Sequence, residues 1–322
     1  MNRVADNIIA AINDFRMLPT GRTVVVALSG GADSVCLLLN LLELKERLDI
    51  KQVEAVHVNH LLRQESGDDE AFCRELCNRL GVPLSVAVID VKSLKQKHHS
   101  TEETAREARY NCFGQVGGAQ TLIATAHNAT DNAETVLLSL TRGTSLKGLC
   151  GIPPVRGDII RPLIYATSAE IRDDMNRRGE AYVVDKTNTD VQFSRNRVRL
   201  NVLPQLRTLN PSLERGTTKL TKYLREDCDF LDTLALKQVC LLQTSKGIDA
   251  ARLADCPPSL QRRIIAAFLT DNNITPSGLI IDEVTSLLVT GGKLNPQLDK
   301  FIIVRHGELY TENFHQNYKK RD

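Results

Sequence analysis

The chain has 322 residues, enough for one large domain and a smaller one. Its 42% hydrophobic and 25% charged residues match ordinary globular usage, which excludes a disordered chain. A formal charge of +2 neither demands nor rules out a nucleic-acid partner, so the placement of charge matters more than its sum. Met1 to Leu18 is interrupted by Asp6, Asn13, Asp14 and Arg16 and reads as neither signal peptide nor membrane span. A soluble cytoplasmic protein with no membrane partner is expected. The eight cysteines form no Cys-x-x-Cys pair and fit a reducing compartment. Cys73 and Cys77 are one helical turn apart, which predicts two buried thiols rather than a metal site.

Strand and helix signals alternate through the first half. Thr23 to Leu28 (TVVVAL) is a β-branched run typical of a strand buried on both faces, and Val35 to Lys45 is Leu-rich and helical. Val53 to Asn59 reads as a strand, Gly67 to Leu80 as a helix stopped by Gly81, and Leu84 to Ile89 as a strand. Thr101 to Phe113 reads as a helix, Leu122 to Ala126 as a strand, and Thr130 to Leu140 as a helix opened by Thr130 or Asp131. Ile159 to Ile164 completes the series as a fifth strand. This order implies an α/β fold with a doubly wound, Rossmann-like parallel sheet, whose ligands bind beyond the carboxyl ends of its strands. The alternation stops near Val184. Asn210-Pro211 then resembles a cap followed by Pro at the first helical position, and Leu213, Leu220, Leu224, Cys228 and Leu231 follow at helical spacing. The expected domains are residues 1–210, holding the nucleotide-binding sheet, and 211–322, a linker helix with a smaller, mainly helical or mixed domain.

The sharpest signal is LSGGADS, directly after the first strand. Gly30 and Gly31 allow a tight turn and close approach of the backbone to a ligand. Ser29 and Ser34 add hydroxyls, and the following helix points its N-terminal amides at the same spot, so the segment forms an anion cradle. The Lys of a Walker loop is missing, and so is the Gly-x-Gly-x-x-Gly of a dinucleotide fold. Asp33 sits inside the cradle instead, and a carboxylate beside phosphates implies an intervening Mg²⁺. The loop resembles the PP-loop of ATP pyrophosphatases. That resemblance implies cleavage of ATP between its α- and β-phosphates, with AMP left on an acceptor oxygen.

Further candidate residues gather at predicted strand ends. His57 and His60 close the second strand, where a pocket-lining role is favoured over metal binding by topology. Arg106 and Arg109 share a helix face that reads equally as a solvated stripe or a pocket wall. His127 ends the fourth strand, while Asp131 and Glu134, one turn apart, open the next helix. Arg142 to Pro154 is a glycine-rich segment with the character of a mobile loop. Residues 190–225 hold eight Lys/Arg against Asp190 and Glu214, a net of +6, which is the electrostatic footprint of a phosphate backbone. Arg195, Arg197 and Arg199 alternate, so an extended chain would put all three on one face. With aromatics at 4% and no Trp, recognition of a folded RNA by shape and phosphates fits better than stacking on a long single strand.

Six ordered blocks then resemble the tRNA(Ile)-lysidine synthetase family: the phosphate loop, HVNHLLR, ETAREARY, ATAHNATDNAETVLLSLTRGTSLKGLCGIPP, IIRPLI and DKTNTDVQFSRNRVR. Ser145 stands where the family usually has Gly, Ser168 where an Arg often follows Thr, Asn128 for a common His, and Phe193 for a common Tyr. The resemblance implies a reaction of ATP, L-lysine and the wobble cytidine of a tRNA(Ile) with a CAU anticodon, giving lysidine, AMP and pyrophosphate. It implies that Ser29, Gly30, Gly31, Ala32, Asp33 and Ser34 hold ATP and that Asp33 binds Mg²⁺. His127, Asp131 and Glu134 would position lysine or the activated base, Arg106 would stabilise the adenylate, and Arg195, Arg197 and Arg199 would meet the tRNA. Residues 212–322 would be a short form of the family's C-terminal region, and a homo-oligomer stays open. Two other readings of the loop remain. A tRNA thiolase with an iron–sulfur cluster needs Cys-x-x-Cys pairs, and a small-molecule amide synthetase needs no basic stretch.

Overall fold

Val24, Val25 and Val26 of strand β1 (Thr23–Ala27) are all fully buried. Their side chains alternate, so Val24 and Val26 join one large core while Val25 packs with Val56 and Ile123 on the other face. A strand of this kind must be central, and β1 pairs in parallel with β2 (Gln52–Asn59) on one side and with β4 (Thr121–Ala124) on the other. In the computed structural model, which describes residues 3–59, 66–89, 120–184, 193–297 and 300–313, the sheet order is β3-β2-β1-β4-β6-β5. Here β3 is Leu84–Val88, β6 is Ile159–Ile160 and β5, antiparallel to β6, is Val155–Arg156. The chain runs outward from β1 to β3 and returns to β4 on the other side of β1. The order therefore reverses between β1 and β4, and the loops leaving these two strands flank the crevice where such sheets bind ligands.

Helix α1 (Arg3–Asp14) buries Val4, Ile8, Ala11 and Ile12 at helical spacing, and α2 (Ala32–Glu43) is buried almost all round from Ser34 to Leu41. In α3 (Ser66–Leu80), Cys73 and Cys77 are buried, as their spacing implied, and burial pushes the Cys73 thiol up to about 12. Helix α4 (Ala129–Thr141) follows β4, and a short helix α5 (Leu146–Leu149) lies in the segment read as a mobile loop. The expected fifth strand over 159–164 is shorter than its apolar run. Pro162 has no amide for a ladder, and Pro162–Tyr165 forms a 3₁₀ turn. Helix α6 (Ser168–Arg178) starts on a capping box between Thr167 and Glu170 and stops at left-handed Gly179.

Residues 195–199, whose arginines would share one face in an extended chain, are helical. Helix α7 (Ser194–Arg197) leads into a π-helical turn at Val198–Val202 and then α8 (Leu203–Leu209). Val198 and Leu203 pack on Ala133 of α4, and this burial overrides the alternating arginines. The predicted helix 101–113, with Arg106 and Arg109, and also His60, lie outside the described residues.

The chain divides into units Met1–Tyr223 and Leu224–Asp322, and the long helix α9 (Leu213–Leu242) contributes to both. The second unit is mixed. Helices α10 (Ala250–Ala254), α11 (Pro258–Asp271) and α12 (Gly278–Thr290) share a core of Leu253, Ile264, Leu269 and Val284. Ile302 and Leu309 join that core from an antiparallel sheet of order β7-β10-β9-β8. Its strands are β7 (Ile248–Asp249), β8 (Gly292–Gln297), β9 (Lys300–Arg305) and β10 (Glu308–Asn313). Among the described residues no helix is long and apolar enough to cross a membrane.

One glycine ties the α5 segment to α4. Gly151 has φ +66°, and a Cβ there would lie 2.2 Å from Asn132 Oδ1, which accepts the Ile152 amide at 2.8 Å. Gly151→Ala is expected to destabilise the chain by roughly 1–3 kcal/mol, through left-handed strain and loss of that hydrogen bond. Chemical denaturation measures it, and an unchanged midpoint would contradict the account.

Candidate functional site

The turn from β1 into α2 is built around Ser34, whose hydroxyl donates to the Gly31 carbonyl at 2.9 Å. The same oxygen receives the Ser29 amide at 3.2 Å and lies 3.1 Å from the Ser29 hydroxyl. Gly30 has φ +85°, and its carbonyl accepts the Val183 amide at 2.9 Å, so the loop is bound to the chain beyond α6. Gly31 is the N-cap of α2 and provides no side-chain cap, so the helix opens with first-turn amides that no capping side chain takes. These residues fit a phosphate chain. His57 does not line this mouth. Its ring is buried, and Nδ1 lies 2.9 Å from the Leu28 carbonyl, pinning the base of the loop from β2.

The loop after β4 stands across the crevice. His127 Nδ1 lies 3.0 Å from Thr125 Oγ1. Asn128 caps α4, the helix expected to start at Thr130 or Asp131, by accepting the Thr130 and Asp131 amides at 2.9 and 3.1 Å. Asp131 returns the bond, with Oδ2 accepting the Asn128 amide at 3.0 Å. Asn128 also donates from Nδ2 to Asp33 Oδ2 at 3.2 Å, which joins the two loops. Sequence reasoning did not single out Asn128 as a site residue. The signal was the Asn-x-x-Asp spacing of a capping box. Ser168 Oγ lies 3.4 Å from Asn128 Oδ1, so two of the departures from the lysidine-synthetase pattern touch each other.

Asp131 and Glu134 meet arginines here. Glu134, fully buried, accepts Arg195 Nε at 2.7 Å, Arg199 Nε at 2.5 Å and Arg199 Nη2 at 3.1 Å. Asp131 Oδ1 accepts Nη2 of both arginines at 3.0 Å. Arg195 and Arg199 are four apart, so the helix turns both toward α4 while Arg197 stays exposed. The three arginines therefore do not share the one face that an extended chain would have given them. Burial works against the Arg195 and Arg199 charges, but the two carboxylates outweigh it and hold both pKa values above the ordinary one. Much of the remaining basic stretch is likewise ion-paired: Arg207 with Glu214, Arg215 with Glu170, and Lys222 with Asp14. Arg215, Lys219 and Lys222 line a groove of about 360 Å³ with Tyr165 and Tyr223.

Asp33 completes the charge pattern. Burial, then the Asp131 charge, pushes its carboxyl up to about 6, with Arg199 and Arg172 pulling the other way. Among the described residues no cluster of three or more His, Cys, Asp or Glu is disposed to hold a metal. Mg²⁺ needs no such cluster, since one or two carboxylates with substrate phosphates suffice. A desolvated carboxylate at the mouth of an amide cradle fits that use.

A family profile described as a PP-loop domain matches residues 2–206. The chain belongs to the PP-loop family. The matched span includes the Ser29–Ser34 turn, which lies at the sheet's reversal point. Among similar curated proteins, the tRNA(Ile)-lysidine synthase of Persephonella marina is 34% identical over 232 residues, covering 71% of this chain and 51% of that protein. That of Clostridium perfringens is 40% identical over 230 residues, covering 70% and 49%. That of Porphyromonas gingivalis is 44% identical over 208 residues, covering 63% and 45%. This PP-loop chain spans about half the length of these relatives. A U34-tRNA thiolase, NcsA from Methanococcus maripaludis, shares the fold, with a TM-score of 0.58 over 69% of this chain and 78% of that chain at 16% identity.

The four-residue ion cluster makes a testable statement about stability. Removing one partner of a fully buried pair costs about 3–5 kcal/mol. Arg195 and Arg199 keep 38% and 32% of their side-chain surface exposed, so solvent reduces that to roughly 1–3 kcal/mol. Glu134→Gln should lower the unfolding midpoint accordingly. Adding Arg199→Ala should cost less than the sum of the two single changes, and strict additivity in this double-mutant cycle would contradict the cluster.

Proposed function

We propose that this chain ligates L-lysine to the wobble cytidine of a tRNA(Ile) with a CAU anticodon, using ATP and releasing AMP and pyrophosphate. The observation that carries the reading is the contact from Asp33 through Asn128 to the helix of Asp131 and Glu134. It brings a phosphate cradle and an acidic pair to one crevice in a chain aligned with tRNA(Ile)-lysidine synthases. The PP-loop match supports ATP binding. In the first step the cytosine carbonyl oxygen attacks the α-phosphorus, forming a P–O bond as the bond to pyrophosphate breaks. In the second, the lysine ε-amine attacks the same ring carbon and AMP departs with the oxygen.

The chain's residues divide this work. Ser29, Gly30, Gly31, Ala32 and Ser34 hold the phosphates through backbone amides and hydroxyls, and the open N-terminus of α2 favours the charge developing on pyrophosphate. Asp33 would hold Mg²⁺, which supplies neutralisation of phosphate charge. His127 stands at the sheet edge to orient the base or to take a proton from the incoming ammonium, and Arg106 is assigned to the adenylate. Asp131 and Glu134 supply the negative charge that a lysine ammonium meets once water is excluded, with Arg195 and Arg199 as the cations it must share them with. The exposed Arg197 and the Arg215–Lys222 groove offer positive charge to RNA phosphates. A thiolase reading draws only on the shared fold, and the chain has no Cys-x-x-Cys pair for a cluster. A cytoplasmic location accords with the tRNA substrate.

Two experiments test the reading. Wild-type protein with Mg²⁺, ATP and the tRNA should release pyrophosphate. Asp33→Asn should fold with an unchanged melting temperature and release none, whereas full release by the folded variant would refute the cation role. For RNA, Arg197→Ala should lower the slope of log affinity against log salt by about 0.7–0.9, the share of one phosphate contact. An unchanged slope would place the RNA elsewhere.

A further inference from the structure

The first turn of α6 reaches the phosphate loop through two side chains. Ser168 donates its amide to Thr130 Oγ1 at 3.1 Å, and its hydroxyl lies 3.4 Å from Asn128 Oδ1. Asn128 in turn donates to Asp33 at 3.2 Å. Arg172 stands four residues after Ser168, so it rises from the same side of α6 one turn on. The helix is held firmly in that orientation. Buried Asp174 accepts Asn40 Nδ2 of α2 at 2.9 Å and Arg178 Nε at 2.9 Å, and Arg178 also reaches Glu43 of α2. Helix α6 is thereby locked to the helix that begins at the loop.

Arg172 differs from the arginines around it. Arg177 and Arg178 are paired with Asp174, Arg195 and Arg199 with Glu134, and Arg215 with Glu170. Arg172 is exposed, and among the described residues no carboxylate forms an ion pair with it. A guanidinium left without a counter-ion beside an anion cradle is suited to bidentate contact with phosphate oxygens. The cradle itself has no Lys or Arg between Ser29 and Ser34.

We propose that Arg172 is a polyphosphate-binding residue, whose guanidinium meets the β- and γ-phosphate oxygens of the nucleoside triphosphate held by the Ser29–Ser34 loop. The assignment rests on the ATP reading above and adds a residue from α6 to it. Arg172 neutralises charge on the group that departs, so its contact belongs to the triphosphate and to free pyrophosphate but not to the monophosphate.

Equilibrium titration of the full chain with Mg²⁺-ATP, Mg²⁺-pyrophosphate and AMP tests this. Arg172→Ala should weaken ATP and pyrophosphate about tenfold or more, the share of a charge-assisted contact, and leave AMP within about twofold of wild type. Arg172 is exposed, so the fold is expected to tolerate the change. Equal ATP affinity in variant and wild type would overturn the assignment. Equal weakening of all three ligands would overturn it too, since that marks a general effect on the loop. If wild-type protein binds no ATP, the reading of the loop fails first, and the assignment fails with it.

Discussion

Negative charge concentrated beside the proposed phosphate site is the constraint around which the first unit is arranged. Asp33, Asp131 and Glu134 gather at the carboxyl edge of a parallel sheet, next to amides built to receive phosphate. Carboxylates so placed repel one another and repel the ligand unless cations stand among them. Arg195 and Arg199 meet that need for Asp131 and Glu134, which explains why a polar, Arg-rich segment folds back onto α4 as helix. Asp33 has the Asn128 amide but, among the described residues, no ion pair with an arginine, and burial and the Asp131 charge raise its pKa. The Mg²⁺ proposed to be shared with phosphates would answer the remaining imbalance.

The rest of the first unit keeps these groups in register. His57 fixes the end of β1 from the neighbouring strand, and the Val183 amide holds Gly30 from the far side. Asn40, Asp174 and Arg178 join α2 to α6 through buried polar contacts, where sliding one helix along the other would strand a buried carboxylate. A catalytic crevice made of loop residues depends on such fastening, because small displacements cost large factors in rate.

The sheet was legible because parallel strands buried on both faces leave continuous β-branched runs, and TVVVAL is one. The Ser29–Ser34 turn was legible because few local structures need Ser-Gly-Gly between a strand and a helix. The position of His127, Asp131 and Glu134 just beyond the fourth strand was also readable, since the apolar run of that strand ends at Ala126. What the sequence hid was pairing at long range. Charge shows in sequence and its partner does not: Glu134, which pairs with Arg195 and Arg199, lies about sixty residues away. The alternation of arginines suggested an extended chain, but Val198 and Leu203 had packing partners only the fold supplies. Asn128 looked like a simple replacement for a family His, and its link to Asp33 depends on the two loops meeting across the reversal of strand order. Pro162 ended the fifth strand early, a limit that the apolar run IIRPLI obscured.

In the proposed reaction, ATP activates an oxygen of the RNA before the amino acid takes part. The most direct measurement mixes the protein, Mg²⁺, the tRNA(Ile) transcript and ATP labelled at the α-phosphate, with lysine withheld. The account predicts that the label travels with the RNA, one per molecule at most, and is chased into free AMP when lysine is added. Label that stays on ATP until lysine is present, or that appears on the amino acid instead of the RNA, would contradict it.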